Sequence, residues 1–228
     1  MSLNNNLSLF VSALSAITNT QVITCNDYLK SCDNDGDEIL LKRDDLFKIF
    51  LPKIMNLDMR KDLLDPQFNF DYEGIEDIKQ NIGGFEYKKP YGWKRIGLNV
   101  LDKYDNGNNE WIGFDDNRRR KPNTNEWPVS YHGTGKYNSN CIARDGYNLS
   151  KGTRFAYGHG IYSTPDIKIA ERFAKTFEIR NHKYLIVIQN RVNPKTMKRI
   201  KIGAGIEYWI SPNDKDIRPY AICYKKVD

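Results

Sequence analysis

The chain has 228 residues, enough for one large domain or for an ordinary domain with an appendage, and 39% hydrophobic and 12% aromatic residues supply a packed core. With 28% charged residues the composition excludes both a disordered chain and a membrane-spanning one. The net charge of +6 suits an anionic partner such as a nucleotide, a nucleic acid or an acidic protein surface. Its densest run, Arg118, Arg119, Arg120 and Lys121, lies between Gly- and Asn-rich segments and reads as a solvated loop ahead of a nucleic-acid patch.

Near the N-terminus, "LSLFVSALSA" resembles the apolar part of a secretion signal, but no Lys or Arg precedes it, so a packed helix is the preferred reading. The cysteines, at 25, 32, 141 and 223, have no CxxC spacing and no clustered histidines, which argues against thiolate metal sites. A reducing, intracellular and cytoplasmic setting is the simplest account, with secretion as the alternative. The stretch "DNDGDEILLKRD" spaces Asp33, Asp35 and Asp37 two apart, with Asp44 at the twelfth position, in imitation of a calcium-binding loop. Glu38 stands where the turn needs Gly, and Asp44 where a bidentate Glu belongs, so an acidic turn between helices is favoured over calcium.

"RDDLFKIFLPKIMNL" follows, with Leu46, Phe47, Phe50, Leu51, Ile54 and Met55 at helical spacing, interrupted by Pro52. Residues 1–84 are therefore expected to be a small, mainly helical region. From 85 the texture changes to short strands and turns, in "GWKRIGLNVL", "EWIGF", "WPVSYHGT", "KYLIVIQNRV", "EYWIS" and "RPYAICYKK". One helix stands out, "DIKIAERFAKTF", with Ile167, Ala170, Phe173, Ala174 and Phe177 as its apolar stripe. An α+β domain over 85–228 is the expectation.

Three segments of that domain carry chemistry: "YHGT" with His132, "GHGIY" with Tyr162 and the helix after it, and "EYWIS" opening on Glu207. Singly, a core histidine, a strand tyrosine and a solvated glutamate would explain them. Jointly they resemble the catalytic domain of the PARP-like ADP-ribosyltransferases, whose signature is His, Tyr and Glu on three separate strands. The order, the flanking glycines and the closing "RPY" agree, and the resemblance spans roughly 129–228. It implies two packed, mostly antiparallel sheets around an NAD cleft. The implied activity is release of nicotinamide from NAD and transfer of ADP-ribose, as mono-ADP-ribosylation, to a protein acceptor.

The resemblance also implies roles. His132 hydrogen-bonds the adenosine ribose, the backbone at Gly133 grips the nicotinamide carboxamide beside Thr134, and a side chain at Gly133 would obstruct that approach. Tyr162 stacks on the nicotinamide ring, with Phe173 as a second aromatic, each face contributing about 1 to 2 kcal/mol; helix packing is the competing role for Phe173. Glu207 bonds the ribose 2′-hydroxyl and stabilises developing oxocarbenium charge. Ala170 stands where many members place a carboxamide-binding serine, and loss of that donor is worth about 1 kcal/mol. Arg144 and Arg154 are alternatives for the pyrophosphate. Two other readings remain: a non-catalytic module binding ADP-ribose, NAD or a protein, and ADP-ribosylation of nucleic acid.

Overall fold

A computed structural model gives the fold. It describes residues 63–75, 79–115, 117–152, 155–179, 182–203 and 205–227. The chain separates into two units, residues 1–62 and 63–228. The N-terminal apolar helix, the kinked helix around Pro52 and the acidic turn with Asp33, Asp35, Asp37 and Asp44 lie outside the described residues.

Eleven strands are described: β1 (Phe70–Asp71), β2 (Asn81–Ile82), β3 (Phe85–Glu86), β4 (Lys94–Gly97), β5 (Val129–Gly133), β6 (Ile161–Ser163), β7 (Phe177–Ile179), β8 (His182–Val192), β9 (Lys198–Ile202), β10 (Ile206–Ser211) and β11 (Ile217–Val227). Two helices, α1 (Lys136–Asp145) and α2 (Ile167–Glu171), accompany them. A six-stranded sheet runs β1-β4-β11-β8-β5 with β7 also paired to β8, a three-stranded sheet runs β6-β10-β9, and β2-β3 is a hairpin. Every pairing is antiparallel. The architecture is α+β, with mostly antiparallel sheets and few helices.

β8 and β11 pair from Ile217–Val192 to Val227–Lys183 and form the spine. Nine consecutive residues of β8 are buried, because α1 and α2 pack on it. A strand covered on both faces reads as a continuous apolar run, as "YLIVI" does. One core cluster gathers Trp93, Tyr131, Ile167, Ala170, Val187 and Cys223; another gathers Tyr147, Ile161, Val192, Trp209 and Ile217. Each fully buried large aliphatic or aromatic side chain stabilises by roughly 1.5–3 kcal/mol.

Three expectations change. The boundary expected after residue 84 falls earlier, because β1 pairs with β4 of the main sheet through Phe70–Arg95. "EWIGF" forms a 3₁₀ turn, Glu110–Ile112, ended by Gly113 in the left-handed conformation. The helix over "DIKIAERFAKTF" stops at Glu171, since Phe177 pairs with Tyr184 as strand β7 and stacks its ring 5.9 Å away. α1 lies between the first two motifs. Among the described residues no helix is long and apolar enough to cross a membrane.

Candidate functional site

His132 lies on β5 opposite Ile188, and Tyr131 beside it bridges to Thr164 just past β6. That bridge brings the first two motifs together. The His132 Nδ1–H donates to the Tyr162 carbonyl at 2.7 Å, and the ring meets Tyr147 edge-on at 5.4 Å. Burial pushes the imidazole below its ordinary pKa, against the opposing effect of that carbonyl. A neutral ring with Nδ1–H committed leaves Nε2 as an acceptor, suited to a hydroxyl donor.

The register of β5 fixes the backbone at Gly133. Tyr131 exchanges both of its backbone hydrogen bonds with Thr164, at 2.7 and 3.0 Å, so it faces away from β8. Antiparallel pairing alternates, so Gly133, two residues on and opposite Val187, turns its N–H and C=O toward the same side. Neither group takes part in the backbone hydrogen bonds described outside the strand ladders. A donor and an acceptor side by side at a half-exposed sheet edge match a primary carboxamide.

The glycine itself has a packing reason that the sequence did not disclose. A Cβ at Gly133 would sit 1.8 Å from the Ala170 carbonyl oxygen and 2.9 Å from the Ala174 nitrogen. The glycine therefore admits α2 against β5. Ala170, in the position where a serine would donate, is buried there. Thr134 is buried, its carbonyl accepts from Lys175 N–H at 3.2 Å, and its Oγ1 accepts from Asn138 at 3.4 Å.

The Tyr162 hydroxyl donates to the Gly158 carbonyl at 2.8 Å and accepts from Tyr157 N–H at 2.7 Å, which anchors the ring. Phe173, just past α2, is 51% exposed, so it does not serve helix packing. Tyr162 and Phe173 are linked through Tyr208, whose ring centroid lies 6.4 Å from one and 6.2 Å from the other. Tyr157 stacks on Tyr208 at 6.2 Å.

Glu207 stands on the other face of its sheet. In the register Trp209 opposes Ser163 and Ile210 opposes Tyr162, so Tyr162, Tyr208 and Ile210 share one face and Glu207 and Trp209 the other. Glu207 Oε1 accepts from Arg199 Nε at 2.6 Å and from Trp209 Nε1 at 2.7 Å. Burial raises its carboxyl pKa, but the hydrogen bonds from Arg199 and Trp209 and the charges of Arg199 and Lys201 outweigh this and hold it below the usual value. The carboxylate lines a cavity of about 370 Å³ whose wall includes Phe85, Asp166, Ile169 and Trp209. α2 thus carries Ile169 to the cavity and is followed by Phe173 at the aromatic cluster.

Arg199, Tyr208 and Tyr157 were not anticipated. Tyr208 adjoins Glu207 in the sequence, whereas Arg199 is diagonal to it across the β9–β10 register and has no sequence signal. Arg144 forms a two-point pair with its neighbour Asp145, at 2.8 and 2.7 Å, and Arg154 lies outside the described residues. In the basic loop Arg118 pairs with Asp102, and Arg120 with Glu126 at 2.7 Å. Among the described residues no cluster of three His, Cys, Asp or Glu side chains could hold a metal. No family model matches the chain, and no curated protein matches it.

Proposed function

We propose that the chain is an NAD-dependent ADP-ribosyltransferase with the PARP-like fold, releasing nicotinamide and transferring a single ADP-ribose to a protein side chain. The observation that carries the reading is the edge at Gly133: a backbone donor and acceptor turned away from β8, beside a neutral histidine whose Nε2 is an open acceptor. NAD offers a carboxamide and ribose hydroxyls, which complement those groups in turn.

Gly133 would hold the carboxamide, His132 a ribose hydroxyl, and the Tyr162 and Phe173 rings the cationic pyridinium, by dispersion and cation–π attraction. Bound NAD supplies a ribosyl group on a good leaving group. Glu207 would act through Oε2, which has no partner among the described residues, by accepting from the 2′-hydroxyl and stabilising positive charge on the sugar. The internal pairing of Arg118 and Arg120 lowers the positive charge free to meet a polyanion, which favours a protein acceptor over nucleic acid.

A second reading, a non-catalytic module for NAD or ADP-ribose, is favoured by one feature: Glu207 is engaged by Arg199 and Trp209 on the face opposite Tyr162. Incubation with NAD labelled in the adenylate, with candidate acceptor proteins, separates the readings. The transferase releases nicotinamide and leaves label covalently on protein. Binding of NAD without nicotinamide release would establish the module instead.

A further inference from the structure

Glu207 is held by side chains of two strands, which a third braces. Its Oε1 receives two donors, Arg199 Nε from β9 at 2.6 Å and Trp209 Nε1 from β10 at 2.7 Å. The Arg199 guanidinium lies over the Phe85 ring at 5.0 Å, and Phe85 from β3 meets Trp209 edge-on at 5.2 Å. Phe85, Arg199, Trp209 and Glu207 therefore form a closed circuit of contacts. Two donors on one oxygen fix the carboxylate plane and leave Oε2 as the only oxygen able to accept from a ligand.

We propose that Arg199 is the positioning residue for Glu207: it orients the carboxylate so that Oε2 alone faces the substrate hydroxyl, and Phe85 keeps the guanidinium in place. The proposal rests on the transferase reading for its kinetic consequence, although not for the contact itself. Arg199 touches no reacting atom and acts through Glu207. The other charged groups lining the same cavity are Lys201 on β9, Glu86 on β3, and Lys88 paired with Asp166 at 3.1 Å. None of these four has a hydrogen bond to Glu207 among the described residues, so removal of Arg199 leaves Trp209 as its sole donor. A carboxylate held by that one donor then samples orientations in which the hydroxyl is not met. This affects the transition state more than NAD binding.

The sign of the pH effect follows. Arg199 favours the charged form of Glu207, so its loss raises the carboxyl pKa and moves the acid limb of the rate profile to higher pH. The test combines nicotinamide release against pH with an NMR titration of the Glu207 side-chain carboxyl, for wild type, Arg199→Gln and Arg199→Lys in the full chain. In Arg199→Gln the titration midpoint and the acid limb should both move up. There kcat should fall about tenfold with KM for NAD changed less than about twofold, and Arg199→Lys should recover part of the loss. An unmoved midpoint in Arg199→Gln would overturn the proposal, as would kcat unchanged beside an active wild type. A wild type that releases no nicotinamide would remove the transferase reading, and the titration alone would then judge the hold of Arg199 on Glu207.

Discussion

Substituting Gly133 with Ala separates the packing role of this position from its ligand role. The added Cβ would lie 1.8 Å from the Ala170 carbonyl oxygen, against an ordinary non-bonded separation of about 3.5 Å, so α2 and β5 must part by about 1.7 Å. The obstruction is backbone on both sides, since the next contacts are the Ala170 carbonyl carbon and the Ala174 nitrogen, and no side chain can turn away to absorb it. Overpacking of this kind costs about 1–3 kcal/mol. At about 2–4 °C per kcal/mol for a domain of this size, Tm should drop by about 2–12 °C in a thermal melt followed by circular dichroism. Because Phe173 follows α2 directly, the same displacement should weaken NAD binding measured by calorimetry. A variant with unchanged Tm and weakened NAD binding would refute the packing argument and leave ligand approach as the reason for the glycine.

Two further perturbations test the frame that carries the site. Glu126 is 3% exposed, accepts from Arg120 at 2.7 Å and forms an ion pair with the buried Arg191 at 3.0 Å. Its replacement by Ala leaves the Arg191 charge without its carboxylate, and urea unfolding should show a loss of about 3–5 kcal/mol; a loss below about 1 kcal/mol would contradict the buried pairing. His132 titrates below its ordinary value because burial disfavours its charged form. Its contribution to stability is complete above the unfolded value of about 6.5 and is lost as pH falls through the folded value. Wild type should therefore lose more stability than His132→Gln between pH 7.5 and 5, and parallel profiles would show that His132 is not buried neutral.

The sheet was legible in the sequence where burial dictates composition. "KYLIVIQNRV" and "RPYAICYKK" are covered on both faces or nearly so, and they read as strands for that reason. α1 was not legible, since Ser139 and Ala143 are its only buried residues and it has no apolar stripe. The end of α2 was obscured by the opposite effect: Phe173, Ala174 and Phe177 continue a helical period, yet Phe177 is claimed by pairing with β8. The family resemblance singled out His132, Tyr162 and Glu207 on three separate strands, and they do lie on β5, β6 and β10. Their relative faces depend on the registers of β6, β9 and β10, which no local pattern encodes. Hence the separation of Glu207 from Tyr162 across the sheet, and the partnership with Arg199, emerged only from the fold.

On the transferase reading, the Glu207 carboxylate serves cleavage of the nicotinamide–ribose bond. The measurement that tests it most directly is nicotinamide release from NAD by purified wild type and by Glu207→Ala, with NAD binding determined for both. Wild type should release nicotinamide, and the variant should release it about 100-fold or more slowly with little change in NAD affinity. Equal release by the two proteins, or NAD binding with no release from either, would contradict it.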